Sequence, residues 1–472
     1  MREFLLTCGF ETHELDSKLP RIEKAFQKLG ITSEDIERGK KRIAEYYDTN
    51  LQGVRKVLGL SIEDVVDTVM AQEDGKKKLI YGYMAPGFEI IASAMATKSK
   101  DVYTANITGP FQFVMGCIFD KMVPILEAAE QKWLKSGKVM HCGNVKTLVG
   151  IIDNDSIPKP DFIVTSGELC DTAPKTLNLF SDLYDIPTCS YNSCHDREFS
   201  EYPDSTRLIK LSAKSIRHMV NQLQELVGFE ITDDMIWETI NARDEMMKEL
   251  IKIQELLDTS DPIPFSPTHD IPIHGICSIG YSVPDMEKPK TALNILYNEL
   301  KERVNRGEGV VEKGAPRIFS MLPAHFTDPR WEHLPTKLGI ALVSCENGFF
   351  PMHGQRFIDI EQEKPEDPYE VISKSLESSL CQSTRARTAI LLEVCKRLKI
   401  DGLWDKYHLG CRINVGDAFL VKDAVTKELG IPVLLMEWEG FDPRFYNEEQ
   451  IQKRFELFKD AMLSYRSQKK PV

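Results

Sequence analysis

The sequence predicts an α/β fold of parallel sheets flanked by helices, with helical segments before the first sheet and between the two. Three observations carry that prediction. Short β-branched runs begin at Lys78 and alternate with helical stretches, the pattern of parallel α/β units. The same alternation resumes near Pro316 and continues to the end of the chain. Between them, residues 206–258 are strongly helical and lead into Asp261-Pro262-Ile263-Pro264-Phe265-Ser266-Pro267, read as a linker. The division is a helical N-terminal extension (1–78), a first α/β domain (79–205), a helical connection and linker (206–315) and a second α/β domain (316–472).

Each element has a local reason. Thr32-Ser33-Glu34-Asp35 opens an apolar-periodic stretch with acidic residues in its first turn, where the helix dipole favours them. Ser61-Ile62-Glu63-Asp64 repeats the pattern and predicts a second helix start. Pro160–Thr165 reads as a buried strand, the stretch ending near Tyr184 as an amphipathic helix, and Ile186-Pro187-Thr188 as the next strand. Thr232-Asp233-Asp234 marks another helix start. In the second domain, strands are expected at Arg317–Leu322, Gly339–Ser344, Gly402–Trp404 and Ile431–Trp438, and helices at 384–398, 415–429 and 447–465. Gly430 fits a helix C-cap, and Asn447 with Gln450 resembles a capping box. No low-complexity tract and no internal repeat beyond the similar helix starts is evident.

Composition narrows the function classes. With 59 Lys+Arg against 72 Asp+Glu, the net charge of −13 disfavours broad nucleic-acid binding, which needs a basic face. No run approaches the ~20 apolar residues of a membrane span, and the opening MREFLLTCGFETHE is too short in apolar residues for a secretory signal. The expectation is a cytoplasmic protein that uses neither nucleic acid nor membrane. Its 11 cysteines are then buried, metal-bound or catalytic thiols and not disulfides. No GxxxxGK[ST], strand-linked GxGxxG, HExxH or GxSxG motif is present.

Three cysteines share a setting. Cys142 (HCGNVK), Cys170 (GELCDT) and Cys411 (YHLGCR) each lie where an α/β unit turns into a helix, at the functional edge of open parallel sheets. Helix-start amides there favour thiolates, and Lys146 and Arg412 add positive charge nearby. The bland alternative, three small buried hydrophobes, stays open on this reading.

Four segments in order, HCGNVKTLVG with SIPKPDFIV, ELCDTAPKTLNLFSDLYDIPT, DGLWDKYHLGCRINVGDAF, and IPVLLMEWEGFDPRFYNEEQIQKRFELF, resemble the 2-hydroxyacyl-CoA dehydratase and benzoyl-CoA reductase family, over about residues 79–466. The resemblance is to the cluster-bearing component, and it implies two Rossmann-like parallel-sheet domains facing a cleft. By position it makes Cys142, Cys170 and Cys411 the ligands of one 4Fe–4S cluster, with one iron lacking a cysteine. That iron would bind a thioester oxygen as a Lewis acid while the cluster passes an electron, so that a ketyl radical forms and a 2-hydroxyl leaves.

The same resemblance implies an iron–sulfur acyl-CoA dehydratase (a lyase) or low-potential reductase. An ATP-hydrolysing iron–sulfur activator would supply electrons, and a related second subunit or a second copy would pair with the chain. Glu89, in MAPGFEII, resembles a glutamate at a family helix start, with one extra residue before it and Ile after it. It is a candidate base, against a plain first-turn carboxylate. His141 and His408 neighbour the cysteines and either donate to sulfur or to the leaving hydroxyl, or act as orienting or core histidines. Arg444 in the DPR signature is read as a loop-structuring ion pair.

The alternatives are ring or small-molecule reduction, a double-cubane 8Fe–9S reductase recruiting further cysteines such as Cys345 and Cys381, and a non-catalytic partner subunit. A zinc or mononuclear-metal protein using Cys189, Cys194 and His195 is a further rival.

Overall fold

The structure is a computed structural model that describes residues 1–107, 109–135, 142–167, 170, 172–192, 206–346, 366–377 and 384–469. Two four-stranded sheets organise it, and every strand pairing is parallel. The first contains β1 (Lys78–Tyr83), β2 (Val102–Asn106), β3 (Phe162–Ser166) and β4 (Thr188–Tyr191), in spatial order β2-β1-β3-β4. The second contains β5 (Arg317–Ser320), β6 (Ala341–Cys345), β7 (Gly402–His408) and β8 (Val433–Trp438), in order β6-β5-β7-β8. The two orders are identical. The two Rossmann-like domains that the resemblance implied thus share one strand order, although the sequence displays no internal repeat.

Four helices precede the first sheet: α1 (Arg2–Thr7), α2 (Thr12–Lys28), α3 (Ser33–Tyr46) and α4 (Gln52–Met70). Thr32 caps α3 with a full capping box, its backbone N–H donating to Asp35 Oδ2 at 2.7 Å. The second start expected at Ser61 does not exist. Ser61 lies inside α4, fully buried, and its hydroxyl donates to the Val57 carbonyl at 3.0 Å, so an apolar face carries the helix through the polar signal.

The crossovers of the first sheet are α5 (Phe88–Lys98), then α6 (Gly109–Gln112), a π-turn at Phe113–Ile118, α7 (Met122–Lys135) and α8 (Gly143–Asp153), and finally α9 (Thr172–Tyr184). The connection holds α10 (Thr206–Val227), α11 (Asp233–Thr259), α12 (Asp270–Cys277) and α13 (Glu287–Asn305). The proline-rich linker between α11 and α12 is packed, with Ile263 and Phe265 both buried. The second sheet uses α14 (Arg330–Lys337), α15 (Pro368–Glu377), α16 (Thr384–Arg397) and α17 (Arg412–Leu429), and α18 (Glu448–Lys469) follows β8.

Strands β3 and β6 are buried at every residue, as parallel strands covered on both faces must be. Gly430 ends α17 at φ 70°, the left-handed C-cap its sequence position foretold. The halves pack closely. A Cβ on Gly116 of the π-turn would come within 2.5 Å of Thr327 Cβ, so only glycine permits that approach.

Candidate functional site

The C-terminal edges of both sheets meet where the cysteines lie. Cys142 is the N-cap of α8, whose residues Gly143–Ile152 are all buried. Cys170 stands between β3 and α9 and accepts a hydrogen bond from the Thr172 N–H at 3.2 Å. Cys411 is the N-cap of α17, and its own N–H donates to the His408 carbonyl at 2.9 Å. Cys170 and Cys411 thus hold equivalent places, each opening the helix after the third strand of its sheet.

The three converge. Cys142 and Cys170 are both near enough to the buried Tyr83 phenol to raise it, and Cys411 is near enough to Cys170 to disfavour that thiol's ionisation. A Cβ on Gly410 would lie 2.6 Å from Cys142 Cβ, so the turn before Cys411 presses directly on Cys142.

For Cys142 and Cys170 the expectation of thiolates by their own surroundings is corrected. Burial pushes Cys142 up to about 12, the Glu439 carboxylate adds to it, and the amides of Val145 and Asn144 offset only part. Burial likewise raises Cys170 against the Ala173 and Thr172 amides. Lys146 gives no help, because its ammonium lies 2.7 Å from Glu130, which Arg444 also holds at 2.7 Å. The Arg412 side chain lies outside the described residues.

Thiols raised in this way, as Cys142 and Cys170 are, ionise against a cation that replaces the lost hydration. Among the described residues, no three His, Cys, Asp or Glu side chains close to the spacing of one metal ion. Three thiols from the two halves, with the Thr172 N–H on the Cys170 sulfur, are the donor type that iron–sulfur groups use.

His408, at the end of β7, is 4% exposed. Its Nδ1 accepts from the Gly410 N–H at 3.2 Å, and its Nε2 lies 2.9 Å from Glu439 Oε1 without a hydrogen-bond partner among the described residues. Trp438 packs against the ring edge-on at 5.4 Å. Glu89 lies in the first turn of α5 beyond β1, 3.7 Å from Arg243, which is itself anchored on the Cys277 carbonyl. His141 lies outside the described residues, as do Cys194, His195 and Cys381. Cys189 is buried in β4, and Cys345 is buried at the end of β6 against Asp270 and Lys406. Arg444 bridges Asp442 and Glu130 and so pins its loop to α7.

Sequence reasoning missed Glu439. The signal was an acidic residue one step past the last strand, at the edge where sites form. It also missed a buried ion network on the second sheet. Arg387 (2% exposed) donates twice to Glu346 at 2.8 Å and to Asp417 at 3.1 Å, and Lys406 lies 3.1 Å from Glu332.

No helix among the described residues is long and apolar enough to cross a membrane. The chain is similar to the (R)-phenyllactyl-CoA dehydratase alpha subunit of Clostridium sporogenes, 19% identical over 339 residues, which cover 68% of this chain and 77% of that protein. Residues 105–462, which contain all three converging cysteines, match the sequence profile of 2-hydroxyglutaryl-CoA dehydratase, D-component. The chain belongs to that family and is a 2-hydroxyacyl-CoA dehydratase component.

Proposed function

We propose that this chain is the cluster-bearing subunit of an iron–sulfur 2-hydroxyacyl-CoA dehydratase, acting through a ketyl radical of the substrate, with Cys142, Cys170 and Cys411 holding a 4Fe–4S cluster. The observation that carries the reading is the convergence of these half-buried thiols, from helix starts of both halves, on one place at the sheet edges. When bound, such a cluster supplies one-electron transfer and an iron open to the thioester oxygen.

The protein's own groups supply the rest. The Thr172 amide stabilises charge on the Cys170 sulfur. Tyr83 and the buried residues of α8 pack beside the half-buried Cys142. Glu89 at the β1 edge is the proposed base, oriented by Arg243. His408 Nε2 lies 2.9 Å from Glu439 Oε1, which supports an orienting role over donation to a leaving hydroxyl. A partner subunit is supported by the name of the relative, an alpha subunit. An ATP-hydrolysing activator and an acyl-CoA substrate follow from the same reading.

Iron and acid-labile sulfide per chain, measured on protein purified without oxygen, test it. About four of each are expected. C142A, C170A and C411A should each lose most of the iron, whereas C8A, which removes a fully buried thiol among the N-terminal helices, should not. Full iron retention by all three variants sinks the ligand assignment. About eight irons would indicate a double-cubane cluster, and an iron-free folded wild type would favour a non-catalytic partner subunit.

A further inference from the structure

Glu439 is the first residue beyond β8, is 5% exposed, and belongs to the second half. Its Oε1 accepts the Gly143 N–H at 3.2 Å, from the first residue of α8 in the first half. The same oxygen lies 2.9 Å from His408 Nε2. Its other oxygen, Oε2, is buried with no hydrogen-bond partner among the described residues. A Cβ on Gly143 would stand 2.5 Å from that oxygen, so glycine is what admits the carboxylate to the start of α8.

The contacts form a closed ring. Cys142 leads into Gly143, Gly143 reaches Glu439, Glu439 faces His408, His408 accepts from Gly410, and Gly410 both precedes Cys411 and presses on Cys142. A carboxylate beside Cys142 opposes ionisation of that thiol, so electrostatics toward the sulfur does not explain its place. Geometry does.

We propose that Glu439 is a positioning residue that ties the two cysteine-bearing helix starts together across the gap between the halves and sets the spacing of Cys142 to Cys411. The proposal deepens the cluster reading and rests on it for one of its two readouts.

The comparison is wild type against E439A, E439Q and G143A. The glutamine can still accept the Gly143 N–H and fill the place beside His408. Alanine can do neither, and the Cβ of G143A displaces the carboxylate. In the reduced, iron-loaded proteins, E439A and G143A should lose iron to a chelator about ten-fold faster than wild type and give a shifted EPR spectrum, and E439Q should match wild type. In iron-free protein, a short bifunctional thiol reagent should join Cys142 to Cys411, mapped by peptide mass. The yield should fall in E439A and G143A and recover in E439Q.

Unchanged chelation, EPR and cross-linking in E439A would overturn the proposal. So would equal failure of E439A and E439Q, which would make charge the relevant property. If E439A does not fold, G143A and E439Q decide by the same criteria. Absence of iron in wild type overturns the cluster reading alone, because cross-linking still reads the spacing.

Discussion

The two sheets share one strand order and place a cysteine at the same point, after the third strand, yet they are built from different materials. In the first half, β2 is followed by the buried Ile107, and β3 is Phe-Ile-Val-Thr-Ser, with no charge. In the second, β6 is followed by Glu346, and β7 carries Asp405 and Lys406, all buried. Equivalent topology is thus held by apolar packing on one side and by paired charges on the other. The difference teaches that strand order places the thiols, while the material beneath them decides how each half fails.

The largest break in that comparison is Arg387→Met. Glu346 (1% exposed) and Asp417 (6%) would be left without their shared guanidinium. Removing one partner of a buried pair costs about 3–5 kcal/mol. Urea unfolding should show that loss, with the Asp417 end reporting directly on α17, the helix that Cys411 caps. An Arg387→Met protein of unchanged stability would mean that the network is solvated and that the contrast between the halves is false.

A smaller break falls on the seam. In Gly410→Ala the new Cβ would meet Cys142 Cβ at 2.6 Å and its Cα at 3.0 Å, so backbone must move. Overpacking of this kind costs about 1–3 kcal/mol. The expected signature is a modest drop in the urea midpoint together with loss of iron, because the strain lands on the first cysteine from the second half. Loss of stability with full iron retention would show that the thiols are not coupled through this turn.

Much of the frame was legible in the sequence, because it depends on local signals. The helix expected at 384–398 runs over Thr384–Arg397, and the strand expected at Gly339–Ser344 runs over Ala341–Cys345. The Thr32 and Thr232 caps formed, and Asn447 accepts the Gln450 N–H at 3.1 Å. The strand expected at Gly402–Trp404 runs on to His408, because Asp405 and Lys406 are charges inside a strand and hydropathy ends the run before them.

The site divides in the same way. Its cysteines were visible as helix starts, two of them following strands, but Glu439 reads as an ordinary acidic turn residue. Its partner Gly143 is 296 positions away, and Arg387 lies 41 and 30 positions from the carboxylates it joins. Nothing local records such pairings. The thiol acidity was misjudged for a related reason: a helix start is a local feature, whereas burial is a property of the whole packing.

The smallest expected effect sharpens the comparison through pH. Burial lifts the Asp405 carboxyl to about 7, despite Arg387, and one of its oxygens has no partner among the described residues. Because its folded value lies above its unfolded value near 4, the folded state binds the proton more tightly. The stability this gives is complete below about pH 4 and is lost as pH rises through about 7. Linkage then predicts a fall of about 1 kcal/mol between about pH 6 and 8. Asp405→Asn removes the titrating group, so the urea midpoint should flatten across that window and exceed wild type at its alkaline end. The neutral strand β3 offers no counterpart, and Val164→Thr in the first half should leave the pH slope untouched. If Asp405→Asn keeps the wild-type slope, the titrating charge lies elsewhere, and the second sheet carries Asp405 as an ionised member of its network.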